Sequence, residues 1–314
     1  MKFRSILTAS AAAAALFAGA PAIAQQSTQP VDDEKVLASE KEMDDAPGVP
    51  AMWKVADEDT TIYLFGTVHL LPDDVNWKTK MVSDALASSQ ALVTEIDLTP
   101  EKIEAMGQLV GSKGMLTDGS TLRGLMTEEQ KATFEAGLAR IGIPAETFDG
   151  MEPWLASIAM TQIIAQASGF EESKGVETVL EAAVGEDTKR IGLETIEFQI
   201  SLFDELPIDQ QILFLLEGAE NPLEGITMLN DLVKVWANGQ PEELGKMMNE
   251  GFAPHPNLGE RLLYQRNEKW ADWIDTRLDT PGTIFIAVGA GHLAGERSVQ
   301  DYLSVRDIET TRVQ

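Results

Sequence analysis

The chain of 314 residues contains three histidines, and two of them share one local pattern. Gly66-Thr67-Val68-His69 follows the apolar run Ile62-Tyr63-Leu64-Phe65, and Gly289-Ala290-Gly291-His292 follows the run from Thr283 to Val288. Glycine is 25 of 314 residues, so chance places one three positions before a given histidine about 8% of the time. Two such placements, each directly after an apolar strand-like run, read as a motif. Glycine lets a strand end in a sharp turn. The imidazole three residues on is then offered at the carboxyl end of a sheet, where open α/β folds bind their ligands. Neutral imidazole is both a common metal ligand and a base near neutral pH. Carboxylates occupy matching places: Glu95 closes Ala91-Leu92-Val93-Thr94, and Glu194 follows Arg190-Ile191-Gly192-Leu193. If the four strands run parallel, His69, Glu95, Glu194 and His292 meet at one sheet edge. These four are the expected ligands of a divalent metal with an open position for water. His69, Glu95 and His292 are its expected catalytic residues. Alternation along an extended strand puts Asp97 on the face of Glu95, where it reads as a strand-end charge facing water.

Supporting residues lie on helices. In a helix over 258–278 the apolar stripe runs through Leu263, Trp270 and Ile274, and Arg266 and Asn267 fall inside it. A buried guanidinium and amide need partners, and the site's carboxylates would serve. Glu177 lies on the side of Leu180 and Val184 in a helix over 173–184. His255, between two prolines, reads as a loop residue. Replacing His69 or His292 is expected to abolish activity with little effect on stability, because strand-end residues contribute little to a core.

The elements that must position these groups are strands at 52–56, 61–65, 91–98, 189–193, 283–288 and 308–313. Helices are expected at 77–89, 101–110, 127–140, 152–167, 173–184, 196–204, 207–217, 222–238, 258–278 and 296–303. The run 283–288 is apolar on both faces, as a strand covered from both sides requires. The pattern gives a mixed α/β (α+β) fold: a central mixed sheet built from N- and C-terminal strands, with a large inserted helical region.

Composition narrows the function. Lys and Arg number 24 against 51 Asp and Glu, a formal charge of −27. Phosphate contacts need clustered cations, so nucleic acid is excluded as a partner. With no cysteine, thiol catalysis, cysteine–zinc sites and disulfides are excluded. The zincin, nucleophile-elbow and phosphate-loop motifs are absent. Gly289, Gly291 and Gly295 imitate a dinucleotide fingerprint too close to the end of the chain to carry such a fold. Residues 1–24 read as a signal peptide: Lys2 and Arg4, an Ala-rich stretch, then the cleavage pattern Ala22-Ile23-Ala24. That stretch falls short of the roughly 20 apolar residues of a membrane span, so no stable membrane anchor is expected. Residues 25–48 read as a disordered acidic leader and 49–314 as the folded domain. The expected location is the periplasm or the extracellular medium.

Together, the paired Gly-x-x-His motifs, Thr94-Glu95-Ile96-Asp97, Lys174-Gly175-Val176-Glu177, Leu193-Glu194-Thr195 with Gln199, and Tyr264-Gln265-Arg266-Asn267 resemble the TraB/PrgY/GumN family. That family includes the Tiki metalloproteases, and its fold is similar to the erythromycin-esterase/ChaN-like group. The resemblance spans about residues 50–312. It implies a divalent-metal site (manganese, cobalt or zinc) and cleavage of a peptide or protein substrate, with His69, Glu95 and His292 at the family's motif positions. Glu177 stands where many members carry aspartate. The expected function is a metal-dependent hydrolase, a peptidase. Haem or metal binding of the ChaN type and peptide binding without catalysis are the alternatives.

Overall fold

The computed structural model describes residues 48–97 and 99–314. The expected signal peptide and nearly all of the expected acidic leader lie outside the described residues. The strands are β1 (Met52–Ala56), β2 (Thr60–Thr67), β3 (Ala91–Thr94), β4 (Lys189–Gly192), β5 (Gly282–Gly289) and β6 (Thr311–Arg312). They form one mixed sheet in the order β4-β3-β5-β2-β1-β6. The four strands β4, β3, β5 and β2 are mutually parallel, and β1 pairs antiparallel with β2 and β6. Strands from both ends of the chain thus build the centre, as the sequence pattern requires.

Side-chain alternation sorts each central strand between two cores. From β5, Phe285 and Ala287 enter one core with Phe65 and Leu92, while Ile284, Ile286 and Val288 enter the other with Leu64 and Val93. Helices cover both faces. On the first lie α1 (Lys80–Ala87), α5 (Val176–Ala183) and α8 (Pro222–Ala237). On the second lie α11 (Gln265–Leu278) and α12 (Val299–Ser304). A third core belongs to the inserted helices α2 (Pro100–Lys113), α3 (Glu128–Arg140), α4 (Pro153–Ala167), α6 (Ile196–Asp204) and α7 (Ile208–Glu220). Phe252, Leu262 and Leu263 join that third core. They come from α9 (Pro241–Phe252) and from a π turn (Glu260–Tyr264) that links α10 (Pro256–Gly259) to α11. Among the described residues no helix is long and apolar enough to cross a membrane.

Several elements differ from the sequence reading: the expected helix over 258–278 is interrupted by the π turn, and the last strand shrinks from 308–313 to Thr311–Arg312. Strand β3 stops at Thr94 and the chain bends through Glu95 and Ile96, so alternation does not carry to Asp97. That carboxylate pairs instead with Lys102 Nζ at 2.7 Å. Helix α9 was not expected. Gly245, Asn249 and Gly251 weaken its helical pattern, yet Pro241 at its first turn with Glu242 and Glu243 behind it is a start signal.

Candidate active site

The two histidine motifs lie side by side. Parallel pairing sets Gly66 opposite Val288 and Thr67 opposite Gly289, so β2 and β5 end together. A Cβ on Gly66 would stand 3.0 Å from the Ala290 Cα, and that closeness is why the first motif needs glycine. Gly289 has a different role: its N–H donates to Glu95 Oε1 at 2.8 Å. Glu95 and Glu194 follow the neighbouring ends of β3 and β4, and the Glu194 N–H bonds the Glu95 carbonyl. All four strand ends therefore deliver their residues to one edge.

At that edge the structure assembles two groups. The first is centred on Arg266, which is fully buried. Its Nε donates to Glu194 Oε1 at 2.9 Å, and its Nη2 donates to Glu95 Oε2 at 2.6 Å and Glu194 Oε2 at 2.9 Å. Its Nη1 donates to the Leu262 carbonyl at 2.9 Å and meets His292 Nε2 at 3.1 Å. A guanidinium carries five N–H groups, and all five are used. Gln199 Nε2 bridges Glu95 and Glu194 at 3.0 Å to each, and Trp270 Nε1 donates to Glu194 Oε1 at 3.0 Å. Because Arg266 donates to Nε2, the His292 proton sits on Nδ1 and goes to Asn267 Oδ1 at 2.6 Å. The Asn267 amide is oriented in turn by donating to the Arg297 carbonyl. His292 also packs on the Trp270 ring, with centroids 4.3 Å apart.

Electrostatics follow from this packing. Burial opposes the charge on Glu95, but Arg266, the two histidines and the Gly289 N–H outweigh it and hold its pKa down to about 2. Burial, reinforced by the Arg266 charge, pushes the pKa of His292 down to about 3. His292 is therefore neutral at ordinary pH, and its 3.8 Å approach to Glu95 Oε1 is no ion pair. Burial works against the charge on Arg266 as well, yet Glu95 and Glu194 raise its pKa further.

The second group is His69 with Glu177. Helix α5 docks its first turn on the loop after β2: the Val176 N–H bonds the Val68 carbonyl at 2.9 Å. A Cβ on Gly175 would lie 2.1 Å from the His69 carbonyl oxygen, so only glycine permits that approach. Docking brings Glu177 Oε1 to 3.2 Å from His69 Nδ1, and the Thr67 hydroxyl also donates to this oxygen. Burial alone would lower the His69 pKa. The Glu177 charge and hydrogen bond, with Glu95 and Glu172 beyond, outweigh burial and hold it above the ordinary value. Among the described residues, His69 Nε2 has no hydrogen-bond partner.

His69, Glu95 and His292 line a single cavity of about 710 Å³, counted with its open mouth. Its walls are apolar and come from α8, α9 and the π turn. The four expected metal ligands do not make a metal centre in this arrangement. Both oxygens of Glu194, one of Glu95 and the lone pair of His292 are held by Arg266, and the guanidinium supplies the positive charge expected from an ion. The remaining donors facing the cavity are His69 Nε2 and Glu95 Oε1, the latter already accepting the Gly289 N–H. Sequence reasoning placed Arg266 and Asn267 near the carboxylates, but it gave no role to Trp270 beyond the core. His255 lies away from this edge, with Nε2 at 3.4 Å from Glu217 Oε1.

Comparison with known proteins assigns the chain. Residues 51–312 match the model of the TraB/PrgY/gumN family. YbaP of Escherichia coli (strain K12) is 24% identical over 242 residues, which is 77% of this chain and 87% of YbaP. YbaP of Shigella flexneri matches to the same extent. An uncharacterized protein of Treponema pallidum (strain Nichols) is 21% identical over 275 residues, 81% of this chain and 80% of that protein. No solved structure matches. With nearly all of its folded part covered by the family model, the chain belongs to the TraB/PrgY/gumN family.

Proposed function

We propose that this protein is a hydrolase that cleaves peptide bonds, with His69 as the group that moves the proton. One observation carries the reading: an imidazole whose Nδ1 is held by a carboxylate, and whose Nε2 is free in a cavity floored by Glu95. This is the orienting logic of a carboxylate–histidine pair. In the step proposed, Nε2 takes a proton from water as the water oxygen bonds the substrate carbonyl carbon. The imidazolium then gives that proton to the leaving nitrogen as the C–N bond breaks. Glu95, with its pKa at about 2, is too weak a base to compete and instead stabilises the imidazolium by its charge. Arg266 has no free N–H for an oxyanion, so it acts by fixing Glu95, Glu194 and His292. The first 24 residues support export to the periplasm or the medium.

A peptide-library digest with the rate followed against pH tests this reading. The rate is expected to rise with pH through the His69 pKa, with the midpoint above the ordinary 6.5 because Glu177 holds it up. Glu177→Gln removes that support, so the acidic limb should move to lower pH while the maximal rate falls. An acidic limb that stays in place with Glu177→Gln would count against His69 as the base. A second reading, haem binding without turnover, is favoured by the free imidazole in an apolar cavity. It predicts a strong visible absorption band on reconstitution and no cleavage.

A further inference from the structure

The walls of the cavity carry information that the hydrolytic residues do not. Leu229, Leu232 and Trp236 come from α8, Met248 and Phe252 from α9, and Leu263 from the π turn. Charged side chains enter only at the floor, and the one that carries a fixed charge among the cavity-lining residues is the carboxylate Glu95. Glu177 lies directly behind His69. Among the described residues the buried guanidinium of the region, Arg266, is spent on its own partners. A substrate group seated against these walls must therefore be apolar, and an anionic group at the floor would face an excess of carboxylates, Glu95, Glu177 and Glu194 against the one guanidinium of Arg266.

We propose, on the basis of the hydrolase reading, that the cavity is a subsite for one large apolar side chain, such as Leu, Met or Phe, next to the scissile bond. The protein would accordingly cut internal peptide bonds and not release a C-terminal residue. Leu229 and Leu232 are only half-buried, so apolar surface at the mouth remains to be covered by such a side chain. Met248 packs directly on Gly291 in the lining: a Cβ added at Gly291 would lie 2.9 Å from its Cε. With His69 neutral, as a base must be, a free carboxylate there would add a negative charge beside Glu95 and Glu177, whereas an amide adds none.

Direct binding tests the subsite separately from turnover. Calorimetry with N-acetyl-Leu-amide, N-acetyl-Phe-amide, N-acetyl-Ala-amide and N-acetyl-Leu as the free acid is read alongside cleavage of peptides carrying the same residues. The two large apolar amides should bind at least tenfold more tightly than the alanine amide, and the free acid about tenfold more weakly than the leucine amide. Met248→Trp, which fills the cavity, should remove the preference for Leu and Phe. Leu232→Trp, at a half-buried position on α8, is the second filling variant if Met248→Trp does not fold. Equal affinity for Leu and Ala, or a free acid bound as well as the amide, would overturn the proposal even if the protein hydrolyses peptides. Preferential binding without cleavage would keep the subsite and remove the hydrolase reading instead.

Discussion

Arg266→Ala is expected to destabilise the fold by about 3–5 kcal/mol, the usual consequence of removing one partner from a buried ion pair. Few proteins hold more than about 5–15 kcal/mol in total, so the variant should be barely folded or unfolded at room temperature. The reason is geometric. Glu95 and Glu194, with side chains 8% exposed, would be left facing each other across an empty space, and His292 Nε2 would lose its donor. Arg266→Lys should recover only part of the loss, because one ammonium cannot reach five acceptors. Combining Arg266→Ala with Glu95→Gln and Glu194→Gln should restore stability relative to the single change, since the uncompensated charges are gone. Denaturant midpoints measure all three. A single variant as stable as wild type would mean that the guanidinium does not hold this edge together.

His69→Ala should lower the rate by about 10²–10⁴, the range in which positioned proton transfer contributes, while leaving the denaturant midpoint almost unchanged. His69 stands at a strand end beside the cavity and closes no core. His292→Ala should behave differently. The ring is buried, stacked on Trp270 and bonded through both nitrogens, so its removal leaves Asn267 and Arg266 each with an unpaired group. Each such group costs about 1–3 kcal/mol. The expectation from sequence, that neither histidine matters much for stability, is therefore kept as a prediction for His69 and revised for His292. Equal losses of stability in the two variants would refute this division of labour.

Much of this edge was legible before folding. Two glycines at equal distance before two histidines marked where β2 and β5 end, and Glu95 and Glu194 marked β3 and β4. Parallel order then required their meeting. Arg266 was legible as a cation inside an apolar stripe, although the helix at 258–278 is broken by a π turn at Glu260–Tyr264 that a steady 3.6-residue period does not reveal. What no spacing rule reports is how many N–H groups of Arg266 find acceptors. That depends on Leu262, His292 and two glutamates converging from four elements. Three of the four residues that look like a ligand set in one dimension, Glu95, Glu194 and His292, become part of a guanidinium cage in three, and His69 pairs with Glu177 instead. The cavity wall was also hidden, because α9 carries glycines that blur its period while Leu244, Met248 and Phe252 supply its buried face.

Arg266 takes the place an ion was expected to hold, and metal dependence separates these two arrangements. The protein, purified without added metal, is assayed for bound manganese, cobalt and zinc, and the proposed peptide cleavage is followed with and without a strong chelator. With Arg266 in that place, no stoichiometric metal is expected, and the rate with chelator should stay within about twofold of the untreated protein. One equivalent of metal per chain, with cleavage lost to the chelator and restored by adding that metal back, would contradict that expectation and reinstate the metalloprotease chemistry that the family resemblance implies.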